Sequence, residues 1–316
     1  MNFNYGYSET DKPVPILART LRSDNPIRSS ASQMLLLLQA LPFLVGDKIP
    51  EDNEHWLCFL LLRKIVGVVL SPVFSECLCS SLKLLIREHH SKFVSLYGLE
   101  TCIPKMHFLV HYPDQIQAVA PMVRTWTIRH EAKLNFFKQA SHLANFKNVA
   151  FALANRHQRW MCYEQSSGRL IDTTIECGPV TKGCSVTCVR DETHDIQDSL
   201  LGLFPQLSLE ATVFHPTWVR RNGIQYQSNN TYLVTGSDGL DPVFSRLDDL
   251  MLIGGDMVVF VVSTCKVLYF DSHYHAYVID VTSHKSLFSN LLDPSVHHAH
   301  KLADGFTYIA LKHHFM

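Results

Sequence analysis

Gly254-Gly255-Asp256-Met257-Val258-Val259-Phe260-Val261-Val262 decides the fold class of the C-terminal half of this chain. A Gly-Gly-Asp turn leads into an unbroken run rich in valine. β-Branched side chains lose rotamer freedom in a helix and pack well on a pleated surface, so this run reads as a strand. The same texture recurs at Ser185–Val189, Thr231–Thr235, Val267–Phe270 and His275–Val281, with Gly236-Ser237-Asp238-Gly239 as a further turn. Gly254-Gly255 joins two strand-like segments, which makes it a hairpin turn and not a phosphate loop. Residues 211–316 are therefore expected to form a small β-rich domain. Residues 166–210, mixed acidic and apolar towards their end, are expected as a linker.

Upstream the period changes from two to that of a helix. Ser30 or Ser32 can cap a helix carrying Met34, Leu35, Leu37, Leu38 and Leu41 before Pro42. Asp52 or Asn53 can cap a second, His55 to Leu70. Ser75 can cap a third, Glu76 to about Tyr97, ended by Gly98. Pro104 suits the first turn of a short fourth helix. Ile128–Leu143 and Asn148–Tyr163 read as two more. Residues 1–29, polar and interrupted by Pro13, Pro15 and Pro26, are expected as a flexible arm. The expected architecture is α+β: an all-helical domain over 30–165, then the β-rich domain.

With 316 residues of which 47% are apolar, the chain has the material for about two modest cores, which excludes a largely disordered polymer. No apolar run approaches the ~18–20 residues of a membrane-spanning helix. The mixed start Met1–Asp11 does not read as a signal peptide, so secretion is not expected. The nine cysteines are odd in number and contain no C-x-x-C pair, which reads as free thiols in a reducing compartment. Formal charge is near zero but uneven. Residues 121–160 hold seven basic side chains (Arg124, Arg129, Lys133, Lys138, Lys147, Arg156, Arg159) against the single acid Glu131, and residues 161–316 hold ten basic against seventeen acidic. A positive block in a neutral chain is either a solvated helix face or a contact for an anionic partner. Trp126 and Trp160 lie within it, and arginine on phosphate with bases stacked on aromatics is a workable nucleic-acid surface.

The segment richest in chemistry runs Pro104-Lys105-Met106-His107-Phe108-Leu109-Val110-His111-Tyr112-Pro113, then Trp126-Thr127-Ile128-Arg129-His130-Glu131-Ala132-Lys133, with Phe146-Lys147-Asn148 and Arg156-His157-Gln158 beyond. His107 and His111 are four apart, share a helix face and can reach one metal, as half of a zinc site, or simply hydrogen-bond near a helix end. Pro113 is expected to break the helix just after them. Ile128, Ala132, Phe136 and Leu143 make a stripe expected to face the core, with Glu131, Asn135, Lys138 and His142 on the other side. Glu131 is either a lone carboxylate placed to hold a divalent metal facing phosphate, or a charge balanced by its neighbours.

These motifs, together with Leu41-Pro42-Phe43-Leu44-Val45-Gly46-Asp47-Lys48-Ile49-Pro50-Glu51-Asp52 upstream, resemble the C-terminal part of the transposase of CACTA-type (En/Spm) DNA transposons over roughly residues 31–165. More distantly the segment looks like the catalytic chain of the antigen-receptor recombinase. The resemblance implies an RNase H-like ancestry in which three carboxylates hold two divalent ions, such as Mg, for attack on a DNA phosphodiester. It implies that Glu131 matches the third carboxylate and that His107 and His111 match the histidine half of a zinc site. It further implies that Arg124, Arg129, Lys133, Lys138, Lys147 and Arg156 face DNA. The first two carboxylates belong on strands upstream of this segment, where only the arm and helices stand here. The cysteine pair of the zinc site is also missing, since Cys77-Leu78-Cys79 has the wrong spacing.

The expected function is a transposon-derived, catalytically incomplete transposase fragment, nuclear or otherwise cytoplasmic, with residual DNA binding. Two alternatives stand: a protein-interaction module using the acidic β-rich half, or the distal part of a two-metal transposase completed by another chain. Helices that lost an ancestral sheet should show apolar faces, expected at 34–41 and 57–70, for the β half or a protein partner to cover. His273 and His275, on one face of an expected strand, either reach a metal with Asp271 or Asp280 or are solvated; His297-His298-Ala299-His300 and His313-His314 read as solvated, and Cys184 with Cys188 shows no ligand pattern.

Overall fold

The computed structural model describes residues 3–16, 18–22, 27–142, 148–167, 175–186, 196–239 and 241–314, and the fold is α+β with helices first and strands second. The helices are α1 (Ala18–Leu21), α2 (Ala31–Val45), α3 (Glu54–Val69), α4 (Glu76–Tyr97), α5 (Pro104–Ala118), α6 (Met122–Thr125), α7 (Ile128–His142) and α8 (Val149–Ser166). Caps set their starts. Ser30 accepts from the Gln33 amide while the Gln33 side chain accepts from the Ser30 amide, a capping box. Asn53 caps α3 through the Trp56 amide, and Ser75 caps α4 through the Leu78 amide. Gly98, at φ 85°, ends α4 in a conformation that costs glycine nothing.

Two prolines do not act as breaks. Pro42 lies inside α2 and Pro113 inside α5, and both are buried. Each ring removes one helical hydrogen bond, and packing of the ring offsets that loss. His107 and His111 therefore sit in the middle of a helix. α3, α4 and α5 pack around Ile65, Val68, Leu78, Cys79, Leu82, Ile86 and Ile116.

The region expected as a linker carries structure: β1 (Glu176–Cys177), β2 (Val180–Ser185) and α9 (Ile196–Leu203). After it come β3 (Thr212–Pro216), β4 (Val219–Arg221), β5 (Ile224–Tyr226), β6 (Tyr232–Asp238), β7 (Asp241–Ile253), β8 (Met257–Asp271), β9 (Ala276–Phe288), β10 (Asp293–His297), β11 (Ala299–Lys301) and β12 (Thr307–Ile309). β7, β8 and β9 form a long antiparallel meander, with Gly254 and Gly255 at positive φ in the β7–β8 turn as expected. The two segments read separately at 257–262 and 267–270 are one strand, β8.

The sheet closes on itself. β10 pairs with β6, and β11, one residue further along the chain, pairs with β12, which pairs with β9. One stretch of chain thus joins both ends of this strand order and covers β6 and β12, while β2, paired with β3 alone among the described strands, remains an edge. Register shifts at Val234/Gly236, Leu247/Asp249, Ser263/Cys265 and Val267/Tyr269 let the long strands bend into this closure. Tyr232, Val234, Phe244, Cys265, Ile279 and Ile309, drawn from five strands, share one core. Val258, Phe260 and Val262 of β8 pack with Val219 and Tyr226 of β4 and β5. The alternate residues Val259 and Val261 pack with Ile196 and Leu200 of α9. Burial on both faces explains why this strand is an uninterrupted apolar run.

The halves meet at the β8–β9 turn. Arg63 of α3 is 4% exposed and donates through Nη1 to the His275 carbonyl at 2.9 Å and through Nη2 to the Gln39 carbonyl at 3.4 Å. Trp56 Nε1 donates to the His273 carbonyl, and His273 Nε2 donates to the Gly46 carbonyl. Phe43 and Tyr274 lie nearly parallel, 6.4 Å apart. The faces of α2 and α3 expected to be exposed are thus largely covered: Leu37, Ala40, Trp56, Leu60 and Ile65 are buried. His273 and His275 occupy a turn against helices, not a solvated strand face. Part of the arm is also docked. Tyr7 OH donates to the Gln225 carbonyl, and Gly6, at φ 90°, lies so close to His298 that a Cβ would stand 2.0 Å from its ring. Among the described residues no helix is long and apolar enough to cross a membrane.

Two glycines test this interface with opposite signs. A Cβ on Gly46 would meet Tyr274 Cε1 at 2.7 Å, whereas a Cβ on Gly67, inside α3, meets nothing within 4 Å. Gly46→Ala is expected to lower stability by about 1–3 kcal/mol through overpacking. Gly67→Ala is expected to raise it by up to about 1 kcal/mol through helix propensity. Urea unfolding midpoints of the two variants check both.

Candidate functional site

The basic block folds into α6, α7 and α8. Arg124 on α6, Lys138 on α7 and Arg156 and Arg159 on α8 are exposed. The side chains of Arg129, Glu131 and Lys133 lie outside the described residues, as does Lys147; α7 carries the first three on its opening turns. α8 has no buried residue. α7 and α8 meet through rings: Phe136 stands 6.4 Å from Trp160, Phe137 5.4 Å from His157, and His157 5.8 Å from Trp160. Of the expected core stripe of α7, Phe136 is 39% exposed, and Ile128, Ala132 and Leu143 lie outside the described side chains; among the described side chains of the helix, Ala140 is buried. Phe151 at 70%, Tyr163 at 55% and Trp160 at 44% exposed complete a surface of cations interleaved with rings. Trp126 is partly buried, and its Nε1 has no hydrogen-bond partner.

Such a surface can neutralise phosphates and offer aromatic faces to bases. The charge pattern was legible in the sequence because it is local. The exposure of α8 was not, because it depends on how much of the described chain packs against the helix, which is little beyond the rings of α7.

On α5 the structure brings His107 and His111 together on an exposed face, with their Nε2 atoms 3.1 Å apart. That spacing fits a histidine–histidine hydrogen bond, and it is close to the separation of two nitrogen ligands on one zinc ion. Among the described residues, no group of three or more His, Cys, Asp or Glu is arranged to hold a metal. Among the described residues the pair supplies two ligands.

The histidines near the C terminus correct their sequence reading. His297 and His298 are 1% and 7% exposed in and beside β10. Asp293 Oδ2 is 3.5 Å from His297 Nε2 and 3.7 Å from His313 Nε2. His298 Nδ1 donates to the Asn230 carbonyl, leaving Nε2 to accept from Ser8 Oγ at 3.0 Å. His300 is sandwiched between Phe3, 4.8 Å away, and Phe43, 4.6 Å away. His297, His298 and His300 line a cavity of about 50 Å³ with Leu36 and Gln39 of α2. Alternating strand geometry and barrel closure bury them, and neither is visible in a run of His-His-Ala-His.

No protein-family model, curated protein or solved structure matches the chain.

Burial pushes His300 down to about 4, and burial with the nearby Arg63 and Lys64 charges pushes His275 down to about 3, both from 6.5. The unfolded chain therefore takes up these protons first as pH falls. Their contribution is full above pH 6.5 and is lost as pH falls toward the two folded values. Urea midpoints measured between about pH 7 and pH 4 are expected to fall, and to fall less steeply in His300→Gln. Equal slopes would show that His300 is not held neutral.

Proposed function

We propose that this chain is a transposase-derived protein of the CACTA type that contacts DNA through α6, α7 and α8 and does not cut DNA by itself. The observation that carries the reading is the surface of exposed Arg124, Lys138, Arg156 and Arg159 set among exposed Phe151, Trp160 and Tyr163 on helices that bury little of themselves. Its support from sequence is the motif set around His107, His111 and Glu131. On this reading the helical half is a remnant of an RNase H-like enzyme. Glu131 is the last of three carboxylates, and the resemblance makes Arg129, Lys133 and Lys147 further contacts to phosphate. His107 and His111 keep half of a zinc site. Mg binding belongs to the ancestral or completed enzyme, because one carboxylate leaves two divalent ions with most of their charge uncompensated. The working compartment on this reading is the nucleus.

DNA binding by the full chain, followed by fluorescence anisotropy, is expected to weaken steeply with salt. Reversing Arg124, Lys138 and Arg156 to Glu is expected to reduce the log–log salt slope by about 3, near one per lost phosphate contact. An unchanged slope would refute the interface. For the chemistry, wild type and Glu131→Gln are expected to leave supercoiled DNA equally intact in Mg. Nicking by wild type that is lost in Glu131→Gln would show that an active centre is completed.

A protein partner is the second reading, favoured by Val119 at 73%, Phe108 at 56% and Phe151 at 70% exposure on α8 and at α5 and its C-terminal end. Such a partner covers α5 and α8, not the leucine-rich helices α2 and α3. Binding that ignores both salt and the charge reversals would favour it.

A further inference from the structure

Cys184, His215 and Asp249 stand on β2, β3 and β7, which neighbour one another in the sheet. The β2–β3 register pairs Cys184 with Val213, and His215 lies two residues further along β3 on the same face. The β3–β7 register pairs Val213 with Ile253, and Asp249 follows on β7 at an even spacing. The contacts agree with this placement. His215 Nδ1 is 2.6 Å from Asp249 Oδ2, and Cys184 Sγ is 4.0 Å from His215 Nε2. Asp249 is itself oriented, since its Oδ1 accepts from the Leu250 amide at 2.8 Å. The His215 side chain is 11% exposed and that of Asp249 46%, so the relay runs from solvent to the edge of the core under α9.

A carboxylate only accepts, so Nδ1 of a neutral His215 carries the hydrogen and Nε2 turns its lone pair to the thiol. This is the order of groups that activates a nucleophile: thiol, base, and a third side chain that fixes the base. The three residues are separated by 31 and 34 positions, and no local motif announces them.

We propose that Cys184 is a nucleophilic thiol served by His215 and Asp249, and that it takes soft carbon electrophiles bearing a leaving group. In the step, the thiol proton passes to His215 Nε2 and the sulfur pair forms a bond to the electrophilic carbon. The bond to the leaving group breaks, and that group departs with its electron pair. His215 then returns its proton to water. This chemistry is independent of DNA contact by α6–α8. Cys58, Cys79 and Cys265 are buried, and burial pushes all three thiols up, Cys265 to about 12. Cys77, Cys162 and Cys177 are exposed and serve as internal references.

The test is iodoacetamide at neutral pH on the full folded chain, with each cysteine's alkylation rate read by peptide mass mapping. A free thiol is only a few per cent ionised at that pH, so a served thiol is expected to react roughly tenfold faster than the three references. His215→Asn and Asp249→Asn are expected to bring Cys184 down to the reference rate, with circular dichroism confirming the fold. Asp249 is half exposed, so its variant keeps the test open if His215→Asn does not fold. A Cys184 rate at or below the references in wild type, or one unmoved by Asp249→Asn, overturns the proposal.

Discussion

A buried guanidinium holds the two halves of this protein in register. Arg63 is taken out of water between α2, α3 and the β8–β9 turn, and its hydrogen bonds go to backbone carbonyls of Gln39 and His275. Burial pushes its value down to about 10, yet that leaves it charged at neutral pH. A buried cation without hydrogen-bond acceptors would cost several kcal/mol, so the carbonyls must stay where the arginine needs them. The turn is therefore fixed against the helices by polar constraint as much as by apolar contact. Phe43, Tyr274 and Tyr308 then pack beside it.

From that anchor the rest of the β half follows. The long strands β8 and β9 leave the turn and bend at their register shifts, and the chain that follows them closes the sheet by pairing at both edges. Closure places His297, His298 and His300 on the closing strands and the residue between them, against α2. The N-terminal segment seals the same place, with Gly6 allowing the backbone to pass against His298 and Phe3 stacking on His300. A group of histidines becomes a neutral, pH-sensitive part of the core because of where two strand edges meet.

The helices that α3 and the barrel do not need are left outward. α7 and α8 touch through Phe136, Phe137, His157 and Trp160, which is enough to hold them as a pair but not to hide their cations. This division separates a packed scaffold from a charged, ring-bearing surface. It is also why removing charges from α6–α8 tests binding without disturbing the core.

Sequence by itself determined what is local. Three helix starts, narrowed to Ser30 or Ser32, Asp52 or Asn53, and Ser75, were legible, with Gly98 as an end and Gly254-Gly255 as a hairpin, because capping and turn chemistry act within a few residues. The change from helical to strand texture and the clustering of charge at 121–160 were legible for the same reason. Tertiary structure alone decided whether Pro42 and Pro113 would break their helices, because the buried rings are stabilised by neighbours distant in sequence. It alone turned Glu176–Cys177, Val180–Ser185 and Ile196–Leu203 from parts of an expected linker into strands and a covering helix, since β2 and α9 are made by what they pack against. It alone assembled Cys184, His215 and Asp249, whose strands become neighbours through sheet register, a property that no stretch of chain contains.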